Sequence, residues 1–239
     1  MTDTIKNTIK SLAMGLVFTA ADFPLPVEKQ KTNNKVLDKL VAAGQIRKLS
    51  KGRFYKPQMN ELGEPPPDTY QVLKDLLEKD GKRIGYVTGY AAFNDLGLTT
   101  QVPAVIQIGT RKEKKRLVRD KYRVSFIKQE NIITKENIPL LRLLDCLRFF
   151  KIIPDAMPDE TCKRLLYLFS KLDEAQIATV KRLVLKYNPA TIALLGAILE
   201  MLNPEEDTAA LFKKLNPITV YKLYIPLKVL PNQRKWNIW

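Results

Sequence analysis

Histidine is absent from this chain of 239 residues. Its absence removes Ser-His-Asp and Cys-His catalysis and every metal site that needs an imidazole. Cysteine occurs only at Cys146 and Cys162, both in apolar, helical surroundings. Two thiols cannot complete a zinc site alone, so they are expected as buried, reduced cysteines of a cytosolic protein. Long apolar runs are missing too. Ile192–Leu199 is far too short to span a bilayer. The stretch "LAMGLVFTAA" after Lys6 and Lys10 imitates a signal peptide, but Asp3 sits in the would-be basic region and Asp22 follows at once. The expectation is a soluble, cytoplasmic protein with no membrane partner.

Carboxylates are scarce relative to cations. There are 25 Asp and Glu against 40 Lys and Arg, a formal charge of +15 and a pI near 9.7. Such a balance favours an anionic partner. The excess is local. Residues 1–57 hold eleven basic residues and four acids, and Arg111–Arg123 holds eight and two. Two patches of this kind look more like contact surfaces than like general solubility charge, although a basic solvated face is the plain alternative.

Ile5, Ile9 and Leu12 repeat at helical spacing, which predicts a first helix from about Thr4 to Met14. Thr19 and Asp22 form an S/T-x-x-D capping pattern, with Phe18 and Phe23 spaced as a hydrophobic staple. This predicts a short second helix, ended by Pro24 and Pro26. A third helix is expected over about Lys29 to Ala43, with Val36, Leu37, Leu40 and Val41 as its apolar stripe and Gly44 as its stop. Its first turns, "KQKTNNK", carry lysines that the positive end of a helix dipole does not favour. Phosphate would explain Lys29, Lys31 and Lys35, with Thr32, Asn33 and Asn34 in the same turns; Lys31, Asn34, Lys35 and Asp38 lie on the face opposite the apolar stripe. An Asn can also pair bidentately with adenine. "RKLSKGRFYKP" then gives strands over Ile46–Ser50 and Arg53–Pro57, with Gly52 supplying a positive φ in the turn.

Three helices and a basic hairpin make a winged helix, whose third helix enters the major groove while the hairpin rides the backbone. Arg47, Lys48, Lys51 and Arg53 are the expected phosphate contacts, with Tyr55 as a further donor. Many winged helices dock proteins instead. The coincidence of a basic wing and a basic third helix on one face favours DNA.

The proline-rich, acidic "PQMNELGEPPPD" reads as a linker. The expected domains are therefore 1–57 (winged helix), 58–68 (linker) and 69–239. Beyond the linker come a helix over Thr69–Lys79, a Gly-bearing turn before a helix over Tyr90–Leu96, and a strand at Ala104–Ile108. "KRLV" and "YRVSFIK" suggest two more strands. Five helices follow, over about 138–152, 160–171, 174–187, 189–202 and 208–215, then a strand-like tail "TVYKLYIPL". The fold class is α+β: a winged helix-turn-helix domain plus a mixed α/β C-terminal domain with a helical second half.

"IRKLSKGRFYKP" after a small helical domain, followed by "GYVTGYAAFNDLGLTTQVP", resembles the AbiEi-type antitoxins of bacterial toxin–antitoxin (abortive-infection) systems. The likeness covers approximately residues 1–130. It implies a two-part protein. The winged helix would bind inverted repeats in double-stranded DNA of its own promoter and repress the operon, with Lys48, Lys51 and Arg53 at the wing positions. The C-terminal domain would counteract a cognate nucleotidyltransferase-like toxin, directly or indirectly.

Enzymatic readings have little to stand on. The sequence has no Gly-Ser dipeptide and no Asp-x-Asp, which a nucleotidyltransferase toxin would need. "GYVTGY" lacks G-K-[ST] and G-x-G-x-x-G, so it is no phosphate loop. The alternative is a winged-helix module fused to a metal-dependent nuclease-like domain, resting on Glu113 and Lys115 with Asp95 upstream. An E-x-K inside "RKEKKR" arises readily by chance. That run itself has three readings: a solvated edge, a second nucleic-acid contact, or a docking site for an acidic or RNA-bearing partner. No catalytic residue, metal or cofactor is expected.

Overall fold

The computed structural model describes residues 2–23, 30–58, 61, 63–65, 67–119 and 121–239, with the side chains of residues 2–4 and 30–33 outside that description. Two compact units emerge: Met1–Leu76 with Val118–Tyr122, and Leu77–Leu117 with Arg123–Trp239.

The first unit opens with α1 (Thr2–Ser11). The expected second helix is reduced to a single turn. Val17–Thr19 is instead a strand, β1, and only Ala20–Asp22 coils, as a single 3-10 turn. The Thr19–Asp22 pairing exists, but with the carboxylate as acceptor. It takes the Thr19 N–H at 2.6 Å and the Thr19 hydroxyl at 3.0 Å. β-branched and aromatic residues suit a strand here, because β1 pairs antiparallel with β3 and sets Phe18 opposite Phe54. The two rings stack at 6.2 Å, and Phe23 meets Phe18 edge-on at 5.7 Å. Cross-strand burial thus outweighs the cap.

Helix α2 (Gln30–Ala42) follows, then β2 (Arg47–Ser50) and β3 (Arg53–Tyr55), with Gly52 at φ +73° in the turn. The sheet order is β1-β3-β2. This is a winged helix whose middle helix has shrunk to one turn. Ile5 and Ile9 of α1, Val36, Leu37 and Leu40 of α2, and Phe54 of the hairpin close one buried cluster. Lys56 joins the ends: its Nζ donates to the Lys10 and Leu12 carbonyls at 2.6 and 3.0 Å, a cation at the negative end of α1. Helix α3 (Thr69–Leu77) starts on Asp68, whose carboxylate accepts from the Tyr70 N–H at 2.8 Å.

The second unit begins with a small hairpin, β4 (Glu78–Lys79) and β5 (Lys82–Arg83). Then come β6 (Gly85–Thr88), α4 (Tyr90–Asp95), β7 (Val105–Thr110) and β9 (Tyr122–Lys128), while β8 (Leu117–Arg119) precedes β9 in the stretch Val118–Tyr122 that counts with the first unit. In the sheet of the second unit β6–β7 are antiparallel and β7–β9 parallel. In "GYVTGY" the first four residues are a strand. Gly89 makes the turn at φ +62°, where the Gln107 side chain fills the space a Cβ would need and accepts from the Tyr90 N–H at 3.0 Å.

The helices are α5 (Asn137–Arg148), α6 (Pro158–Phe169), α7 (Glu174–Val184), α8 (Pro189–Leu202) and the short α9 (Ala209–Phe212). Helix α8 is buried from Thr191 to Leu199 and forms the centre of the larger core. An apolar helix enclosed on all sides is the expected state of "IALLGAIL". Gly196 lets the Trp236 ring lie against its backbone, and a Cβ there would overlap that ring. The tail departs from the strand expectation. Tyr221, Leu223 and Ile225 do alternate inward, but they pack on the helical core rather than in a ladder. An isolated bridge, Tyr221 to Ile238, with the Leu223 and Tyr224 N–H groups donating to the Trp239 carbonyl, joins the segments before and after the 3-10 turn Pro231–Trp236.

Candidate nucleic-acid interface

The stripe Val36, Leu37 and Leu40 turns one face of α2 inward and leaves Asn34, Lys35, Asp38 and Lys39 exposed on the other. Of the helix residues expected at DNA, Asn34 and Lys35 therefore stand at the surface. Lys29, and the side chains of Lys31, Thr32 and Asn33, lie outside the described residues. On the hairpin, Lys48 and Lys51 are exposed, and no ion pair engages either among the described residues.

The arginines and tyrosine of the wing are placed differently. Arg47 donates from Nε to Glu64 Oε2 at 3.1 Å and from Nη1 to the Gly44 carbonyl at 3.1 Å. The Tyr55 hydroxyl donates to the other Glu64 oxygen at 3.0 Å. Arg53 pairs with Asp75 of α3. Asp75 also holds Arg119, which is only 5% exposed and donates to Asp75 Oδ2 at 2.8 Å and to the Val72 carbonyl at 2.7 Å. Burial pushes the Asp75 carboxyl up, but hydrogen bonds and charge from Arg119 and Arg53 outweigh it and hold the group below its ordinary value. The hairpin thus carries two kinds of cation: exposed lysines, and arginines already committed to carboxylates. Sequence spacing cannot separate them, because Glu64 and Asp75 come from outside the hairpin.

The second basic stretch also divides. Arg111 to Arg116 are all exposed, with Lys114 lying over the Phe126 ring at 5.5 Å, whereas Arg119 is a buried structural residue. Glu113 and Lys115 are exposed, and the Asp95 carboxylate pairs with Arg142. Among the described residues, no three His, Cys, Asp or Glu side chains group to hold a metal ion.

One polar constellation went unremarked in the sequence. Asp145, fully buried on α5, accepts from the Tyr86 and Thr88 hydroxyls at 2.7 Å each and from the Tyr187 hydroxyl at 3.0 Å. Gln129 donates to both tyrosine oxygens at 2.9 and 2.7 Å, and its own oxygen accepts from Asn131. Burial raises the Asp145 carboxyl above its ordinary value, although all three hydroxyls oppose the shift. Its signal was present: a lone acid inside the leucine stripe "LLRLLDCL" sits where an apolar residue is expected. Burial also raises both thiols, with Cys162 pushed up to about 12, so neither is a reactive thiolate.

Residues 4–177 match the profile of a family of unknown function, DUF6088. The chain belongs to this family. Among solved structures it is similar to the crystal structure of the RV2827C protein from Mycobacterium tuberculosis, at 15% identity and a TM-score of 0.46, over 92% of this chain and 83% of that one. No curated protein gives a match. No helix among the described residues of this DUF6088 member is long and apolar enough to cross a membrane.

Proposed function

We propose that this DUF6088 protein is a DNA-binding repressor and antitoxin, without enzymatic activity, that regulates its own operon and counteracts a nucleotidyltransferase-like toxin. One observation carries the DNA part: a winged helix whose α2 face and wing turn present Asn34, Lys35, Lys48 and Lys51 to solvent. Exposed lysines are the side chains that release counterions from a phosphate backbone. The committed arginines shape the wing rather than meet DNA in this state. The antitoxin part rests on the resemblance of "GYVTGYAAFNDLGLTTQVP" to AbiEi-type antitoxins.

The test has two arms. In a gel shift, the full chain retards duplex DNA from its own upstream region, and Lys48→Ala with Lys51→Ala weakens this. Co-expressed from an unrelated promoter with the nucleotidyltransferase-like toxin proposed as its partner, the same double variant still rescues growth. A chain that retards no duplex at low salt overturns the repressor reading. A chain that never rescues overturns the antitoxin reading.

A further inference from the structure

We propose that Glu64 makes an autoinhibitory contact: an acidic strap folded back on the wing withholds Arg47 from the DNA backbone. This inference rests on the DNA reading above and concerns the regulation of that same surface.

The hairpin register builds the contact. Phe54 turns into the core at 3% exposure, so its neighbours Arg53 and Tyr55 take the outer face of β3. Arg47 stands opposite Tyr55 in the β2–β3 pairing and shares that face. The sequence pattern assigns all three to phosphate, yet each meets a carboxylate from the chain that follows the wing. Glu64 belongs to the acidic, proline-rich "GEPPPD". One of its oxygens accepts from Arg47 Nε at 3.1 Å and lies 3.0 Å from Arg47 Nη2. The other accepts from the Tyr55 hydroxyl at 3.0 Å. A guanidinium and a hydroxyl that grip two oxygens of one anion are also a phosphate-binding pair. Glu64 therefore occupies the place of a backbone phosphate.

The two acids differ in how readily an outside anion replaces them. Asp75 holds Arg53 and also Arg119, whose side chain is 6% exposed. Taking Asp75 away would leave that enclosed cation without its partner, which is costly. Glu64 holds Arg47, whose side chain is 42% exposed. Arg47 also donates to the Gly44 carbonyl at 3.1 Å, a bond that does not depend on Glu64. Exposed pairs of this kind are weak, and a polyanion competes with them. Asp75 is the brace of the wing, and Glu64 is its displaceable cover.

The test is binding of a short random-sequence duplex to the full chain, followed across salt, in the parent, Glu64→Gln, Arg47→Ala and the double variant. Glu64→Gln keeps the size and one acceptor oxygen but removes the charge. We expect it to tighten binding about fivefold at low salt and to steepen the slope of log K against log salt by about one, as Arg47 joins the lysines. Its melting temperature stays close to the parent's, because the pair is exposed. Arg47→Ala alone changes affinity and slope little, and in that background Glu64→Gln changes them little too. A merely structural ion pair would not move the salt slope. The inference is overturned, with the DNA reading intact, if the parent binds and Glu64→Gln binds no more tightly. It is overturned equally if Glu64→Gln tightens binding as much when Arg47 is replaced, which would make Glu64 a general negative charge and no strap. If neither the parent nor Glu64→Gln binds at low salt, the DNA reading itself falls and this inference with it.

Discussion

Asp75 in the first unit accepts from two guanidinium groups, and Asp145 in the second accepts from three hydroxyls. Both are acids next to donors, yet their carboxyls move in opposite directions. Asp75 is partly exposed, and fixed positive charge stabilises its anion. Asp145 is enclosed, and neutral dipoles do not repay the loss of water. The difference shows how each unit is held together. A surface network of charges can shape a wing and still leave lysines free for a polyanion. A buried hydrogen-bond network ties β6, α5 and the residues just after α7 together.

The largest effect that would sharpen this contrast is at Asp145. Asp145→Ala strands three hydroxyls in the core and is expected to cost about 3 kcal/mol, whereas Asp145→Asn, a mimic of the protonated acid, costs about 1 kcal/mol. Urea unfolding measures both. Equal losses would break the claim that burial raises the Asp145 carboxyl.

Next is Gly196→Ala, which forces a methyl against the Trp236 ring. It should destabilise by about 1–3 kcal/mol in the same assay. No loss would mean that the tail and α8 are less tightly joined than the close approach implies.

Acid titration separates the two carboxylates by sign. Asp75, lowered in the fold, contributes stability above the ordinary carboxylate value of about 3.9, lost as pH falls through its folded value. Asp145, raised in the fold, does the reverse. The native state keeps its proton longer, so its contribution declines as pH rises from about 4 through the folded value. Asp145→Asn should therefore flatten the decline of stability on the alkaline side of that range, and Asp75→Asn should soften the loss on the acid side. Unfolding followed across pH reads both slopes.

Much of the first unit is visible in its sequence because its signals are local. The α2 stripe, the Gly44 stop and the Gly52 turn each act over a few residues and appear in place. The second helix is only one turn long because Phe18 serves a cross-strand partner 36 positions away, Phe54, and no local pattern displays that. The tail misled in the opposite way: its period-two alternation is real, but helices cover it instead of strands. The candidate DNA surface was legible as charge and not as geometry. Lys48 and Arg53 look alike in "RKLSKGR", and only Asp75 of α3 tells them apart.

The smallest structural effect is also the most informative for function. Lys48→Ala with Lys51→Ala alters exposed side chains and should change stability by less than about 0.5 kcal/mol. The measurement that tests the account most directly is the affinity of the full chain for its own upstream duplex, followed across salt, in the parent and in this double variant. We expect log K to fall linearly with log salt, with the slope flattened by about two in the variant and affinity for random duplex reduced by the same factor. An unchanged slope, or an affinity that ignores salt in the parent, would contradict a wing that meets phosphate through its exposed lysines.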